Sequence, residues 1–242
     1  MKDEFFIKIA ALTVKISAAY PLSRELCRDF ITEAVQNPDI TASVSEEKIN
    51  YELNNAKEKS TPEYAEFLCI YRIIAEQLPL FNCFVFHGAA ISYKDRGYLF
   101  TAPSGTGKST HIRLWRKFIG NDVDIINGDK PIIKVNDGKI SVCSTPWAGK
   151  ENWKKNRLLP LDAITVLTRS EAPFIEPLSP DMCLSRIMNQ IYMPKTPEAL
   201  AKTLELINSM LSGVPVYRLG CDISEESVRV AFEGITKEKY IK

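Results

Sequence analysis

The sequence predicts a mixed α/β (α+β) chain, with a mixed, partly antiparallel sheet and an appended N-terminal α+β segment. Three observations predict it. Several strand-like stretches follow one another with no helix between them. Helix starts marked by proline and an acid recur along the chain. One glycine-rich turn leads from an apolar strand straight into a helix. Consecutive strands of this kind disfavour a strictly alternating parallel sheet.

The size suits such a fold. At 242 residues, 45% hydrophobic and 25% charged, the chain amounts to one large domain or two small ones and can bury a core without staples. That composition excludes disordered, collagen-like and coiled-coil classes. Lys and Arg number 31 against 30 Asp and Glu, a net charge of +1. A balanced chain has no general pull on nucleic acid or anionic membrane, and no strongly basic run supplies a local one. The six cysteines form no C-x-x-C pair and sit among apolar residues, which reads as buried thiols in a reducing compartment. Asp3 and Glu4 precede the apolar stretch from Phe5 to Tyr20, and Lys8 and Lys15 interrupt it, against a secretory signal. No uncharged stretch has the length of a membrane span. The expectation is a cytoplasmic protein.

Taken in order, Leu12, Val14 and Ile16 alternate with polar neighbours, the strand period. Ser23 to Val35 reads as a short helix. Residues 36–60 are polar, with one candidate strand near Ile40–Val44. Thr61-Pro62-Glu63 is a helix start, and Phe67, Ile70, Ile74 and Leu78 then recur on one face until Pro79. A boundary falls here, dividing an N-terminal segment (1–80) from a core (81–242). The core opens with Cys83–Phe86, then His87-Gly88 and an apolar stretch to Ile91. A turn at 94–97 leads to Tyr98–Ala102, and a helix from Ser109 to Phe118 follows the glycine-rich turn. Asp124–Ile126 is a strand ending at Asn127-Gly128-Asp129. Ile132–Val135 and Ile140–Cys143 flank Asn136-Asp137-Gly138, a hairpin signal. Ala163–Leu167 is a further strand. Ser179-Pro180-Asp181 and Thr196-Pro197-Glu198 start two helices, the second stopped by Gly213. Val214–Leu219 is the last strand, and Ser224 caps a closing helix through Phe232.

The informative stretch is Ala102-Pro103-Ser104-Gly105-Thr106-Gly107-Lys108-Ser109-Thr110, between a strand and a helix. That is the setting of a phosphate loop. Its main-chain N–H groups would cradle a β-phosphate beside the positive helix end. Lys108 would bridge the β- and γ-phosphates, and the Ser109 hydroxyl would hold Mg²⁺. The pattern departs from the full motif at Ala102, where a glycine is usual. A second metal contact is expected from a carboxylate at the end of an apolar strand; Asp129 fits, the alternative being a turn aspartate.

His87-Gly88, the loop Ser104–Ser109 and Gly128-Asp129 resemble the C-terminal kinase domain of HPr kinase/phosphorylase and the related nucleotide fold of ATP-dependent phosphoenolpyruvate carboxykinase. The resemblance covers about residues 83–150. It is closer to the small HPr-kinase-related proteins of bacterial peptide-modification clusters, some of which phosphorylate a serine on a peptide. It implies a P-loop nucleotide core, ATP and Mg²⁺, phosphate and metal at Lys108 and Ser109, and His87 beside them. Asp129 stands for one member of an aspartate pair; its neighbours Gly128 and Lys130 supply no second acid. Lys150, in Thr145-Pro146-Trp147-Ala148-Gly149-Lys150, would reach phosphate from across the site, or is a solvated turn lysine. The resemblance also implies self-assembly into a homo-oligomer.

The resulting expectation is an ATP- and Mg²⁺-dependent kinase acting on a hydroxyl, on a peptide, a protein or a small molecule. Asp129, His87 and Lys108 are its catalytic candidates, with Glu151 as a further base. The phosphate-binding set is Ser104, Gly105, Thr106, Gly107, Lys108, Ser109, Thr110 and Lys150, and the metal set is Ser109 and Asp129. The alternatives are a binding or hydrolysing nucleotide module and the reverse phosphorolysis. A GTPase would need an Asn/Thr-Lys-x-Asp motif, which the C-terminal half lacks. His111, just past the loop, is read as packing or surface. Trp153, Lys154, Lys155 and Arg157 would face an acidic acceptor or form an exposed helix.

Overall fold

A computed structural model describes residues 2–56 and 59–241. Two sheets build it. The first contains β1 (Asp3–Ile9), β2 (Leu12–Ala18), β3 (Ile31–Thr32) and β4 (Ile40–Ser43), in the order β3-β1-β2-β4. The period-two pattern of β2 buries Leu12, Val14, Ile16 and Ala18. Its partner β1 carries Phe5, Ile7 and Ile9 on the same face, although Phe6 between them hides the alternation.

Helix α1 (Pro21–Leu26) is shorter than the sequence suggests, and it starts at Pro21 rather than Ser23. Proline pre-sets the first helical φ, and the chain must leave the helix early. A 3₁₀ turn at Arg28–Phe30 follows, and then β-branched Ile31 and Thr32 pair with β1. Ser23 is buried instead of capping, its hydroxyl 3.4 Å from Glu66. Helix α2 (Glu46–Asn55) escapes the sequence reading because only Ile49 on it is buried, leaving no apolar stripe; Ser45 caps it. Helix α3 (Pro62–Gln77) starts at the Thr61 cap and buries Phe67, Ile70 and Ile74, as its periodicity requires.

The second sheet has nine strands. Its path is β5 (Cys83–Val85), β9 (Ile132–Asn136), β10 (Lys139–Cys143), β11 (Leu158–Arg169), β7 (Arg96–Thr101), β6 (Ala89–Tyr93) and β8 (Val123–Asn127), with β13 (Val216–Cys221) on β11 and β12 (Phe174–Pro177) on β13. It is mixed: β11 runs parallel to β7 and β13, whereas the remaining pairs are antiparallel. Helices α4 (Lys108–Ile119) and α7 (Glu225–Thr236) cover one face through Trp115 and Phe232. Helices α5 (Pro180–Ile187) and α6 (Pro197–Gly213) cover the other through Ile187 and Met210. Gly213 is the last helical residue, one position later than its expected role as the stop. Residues 153–157 form no helix. Trp153 packs on the core, while Lys155 and Arg157 pair with Asp124 and Asp95, both at 2.5 Å.

The N-terminal sheet and the second sheet share one core. The cluster holding Phe5, Ile16 and Ile70 continues into Cys83, Val85, Ile132, Cys143 and Trp147. All six cysteines are free thiols, five of them buried. Among the described residues no helix is long and apolar enough to cross a membrane.

Candidate phosphate and metal cleft

The turn between β7 and α4 owes its shape to two glycines. Gly105 and Gly107 have φ of +78° and +121°, which side-chain-bearing residues avoid. A Cβ at either position would meet nothing within 4 Å. Conformation therefore demands glycine, and the space above the loop stays open. Ala102 is tolerated in place of a glycine because its φ is not positive. It is buried, and its carbonyl accepts from Lys108 Nζ at 2.8 Å. Burial lowers the Lys108 ammonium below its ordinary range, opposed by the charge of Asp129. At the loop tip Arg169 Nη2 donates to the Gly105 carbonyl at 3.0 Å.

Asp129 stands on a turn built by a residue that sequence reasoning passed over. Asn127 is fully buried; its Oδ1 accepts from the main-chain N–H groups of Asp129 (2.9 Å) and Lys130 (2.8 Å), and its Nδ2 donates to Thr145 O at 3.0 Å. The signal for it is the Asn-Gly-Asp order itself, since asparagine bonds main chain two residues on. His87 lies in the bend between β5 and β6 rather than within a strand. Two main-chain bonds fasten that bend to the aspartate turn: Phe86 N to Pro131 O and Gly88 N to Asp129 O, both 2.9 Å.

The side chains converge accordingly. His87 Nε2 is 3.3 Å from Asp129 Oδ1, and Lys130 Nζ is 3.2 Å from Asp129 Oδ2. His87 Nδ1 is 2.9 Å from Gln190 Oε1, so oxygens face both ring nitrogens. Burial pushes the Asp129 carboxyl up, but hydrogen bonding from His87 and the charge of Lys130 outweigh it and leave it below the ordinary range. Gly149, at φ +74°, packs against Asp129; a Cβ there would come within 3.0 Å of the aspartate Cβ.

One cleft of about 540 Å³ is lined by Ser104, Gly105, Gly107, Lys108, Ser109 and Thr110 from the loop, and by His87, Asp129, Lys150 and Glu151 facing it. Thr106 alone of the sequence candidates turns away; its hydroxyl bonds Pro103 O at 2.9 Å and it lines the flanking cavities. Tyr64 of α3 also lines the cleft, and no sequence signal pointed to it. His111 is buried beneath the loop, its Nε2 accepting from Trp115 Nε1 at 3.0 Å. Among the described residues no group of three or more His, Cys, Asp or Glu side chains is set to hold a metal. Magnesium commonly takes one or two protein oxygens and fills the rest of its shell with substrate phosphates and waters. The pair Ser109 and Asp129 fits that mode.

No protein-family model matches the chain, and no curated protein matches it. Among solved structures, the HPr(Ser) kinase/phosphatase from Coxiella burnetii aligns at 11% identity and a TM-score of 0.37, over 63% of this chain and 93% of that one.

Proposed function

We propose that this chain is a kinase that moves the γ-phosphoryl group of ATP to a hydroxyl, on a serine of a peptide or protein or on a small molecule. The observation that carries the reading is the convergence of Lys108, Ser109, His87 and Asp129 on one cleft beneath an open, glycine-shaped loop.

The main-chain N–H groups at the start of α4 receive the β-phosphate, as helix N-termini receive anions. Lys108 exchanges the Ala102 carbonyl for phosphate oxygens. Magnesium, held by Ser109 and Asp129, would neutralise charge on the transferring group. Asp129 also orients the acceptor hydroxyl and takes its proton as the acceptor oxygen bonds to the γ-phosphorus. The bond from phosphorus to the β,γ-bridging oxygen breaks, and ADP leaves with that electron pair. A carboxylate held below its ordinary range is a weak base, but a loose phosphoryl-transfer transition state asks for little more than positioning. His87 holds the carboxylate in place. The lack of a second acid beside Asp129 favours one other reading, a module that binds nucleotide without transferring phosphate.

Titration with magnesium-ATP and assay of ADP release test both. The wild type is expected to bind and turn over ATP. Lys108→Ala is expected to weaken binding. Asp129→Asn is expected to lower turnover roughly a hundredfold. Turnover surviving both changes sinks the mechanism, and tight binding with no turnover in the presence of any acceptor selects the binding module.

A further inference from the structure

The cleft does not end at Asp129. A second cavity of about 480 Å³ shares Tyr64, Asp129, Ala148, Gly149 and Lys150 with it and runs beneath α3. Its far wall is apolar: Phe67, Leu68 and Tyr71 from α3, and Trp147 from the core. That wall is fixed. The Trp147 ring lies 5.4 Å from both Phe67 and Tyr71, stacked on the former at 25°, and its Nε1 donates to Phe67 O at 3.2 Å. The cavity is thus charged at one end and aromatic at the other. An apolar pocket with a few convergent polar groups is how small-ligand sites are built.

The nucleoside has room elsewhere. Cavities of about 850 Å³ and 570 Å³ flank the loop at Gly105, Thr106 and Arg169, and Asp129 lines neither. The space beyond Asp129 is left for the other substrate. Resting on the kinase reading above, we infer that this cavity binds the phosphoryl acceptor, a hydroxyl joined by a short link to an aromatic group. The hydroxyl meets Asp129, and the aromatic group lies against the wall formed by Phe67, Leu68, Tyr71 and Trp147. A volume of 480 Å³ admits a side chain or a small molecule and not a folded domain. The acceptor is therefore a serine beside an aromatic residue in an unfolded segment, or a free aromatic alcohol. Residues 1–80 acquire a role: α3 supplies Tyr64, Phe67, Leu68 and Tyr71 to the acceptor site.

The test uses the full chain with saturating magnesium-ADP and four probes: Ac-Ser-Phe-NH₂, Ac-Ser-Gly-NH₂, 2-phenylethanol and ethanol. Calorimetry or ligand-observed NMR reads the affinity. At least one aromatic probe is expected to bind ten times more tightly than its non-aromatic partner, and the pair that does so distinguishes peptide from small molecule. Leu68→Trp, which fills the cavity, is expected to weaken that probe at least tenfold and to leave the Kd of magnesium-ADP within twofold. Equal binding of aromatic and non-aromatic probes, no binding of either aromatic probe, or indifference to Leu68→Trp overturns the inference. If Leu68→Trp does not fold, Tyr64→Ala, which removes a half-exposed part of the wall, is expected to weaken the aromatic probe fivefold, and unchanged affinity overturns the inference equally. If the folded wild type fails to bind magnesium-ADP, the kinase reading falls first, a result separate from the others.

Discussion

His111 shows what burial does to one side chain. Its ring is sealed between α4 and Phe100, with centroids 5.1 Å apart, and burial lowers its pKa from 6.5 to about 4. Trp115 donates to Nε2, so the proton sits on Nδ1, which has no hydrogen-bond partner. The folded chain holds this imidazole neutral, whereas the unfolded chain protonates it below 6.5. Between those values the unfolded state binds the extra proton, so stability is fully present above pH 6.5 and is lost as pH falls towards 4. The loss amounts to roughly 3 kcal/mol. Urea unfolding from pH 7 to 4 should show it in the wild type and not in His111→Gln, which keeps an acceptor for Trp115. The sequence reads this histidine as packing or surface and cannot separate the two, because only the sheet behind it decides. His87, the other histidine, differs by position alone: it stands in a bend open to the cleft, and its partners come from Asp129 and from Gln190, far along the chain.

At the level of elements, the phosphate-loop candidate was legible because its determinants are local. Glycine at two positive φ angles, a lysine and a hydroxyl at the helix start are all written within a few residues. The aspartate turn was legible only in part. Asp129 stands out at a strand end, but Asn127, which folds the turn, is given no role of its own in the stretch Asn127-Gly128-Asp129 that ends the strand. Asn127→Ala removes the acceptor of two main-chain N–H groups and opens a buried gap, at a cost of roughly 3 kcal/mol. Denaturant unfolding should register that loss, and ADP release should fall further than magnesium-ATP affinity, since the turn carries Asp129 and the loop does not. Strand β1 and helix α2 were missed for opposite reasons. One has adjacent aromatics that blur its period, and the other buries a single isoleucine. Neither pairing of a strand with a distant partner, nor the use of β11 by β10, β7 and β13 together, is visible in a one-dimensional pattern.

At the scale of the whole molecule, the boundary near residue 80 marks a change of sheet and not a change of core. The cluster that begins at Phe5 ends at Trp147, and the indole bond to Phe67 crosses between the two parts. A single cooperative transition is expected on heating, with circular dichroism and tryptophan fluorescence coincident and calorimetric and van't Hoff enthalpies equal. Two separated transitions would show instead that residues 1–80 unfold by themselves. The main-chain bonds that join the His87 bend to the Asp129 turn have a last consequence. Imidazole and carboxylate share one backbone frame, because the bend and the turn bearing them are joined at Phe86 and Gly88. The main-chain spacing between the two is therefore set as the chain folds, before any ligand arrives.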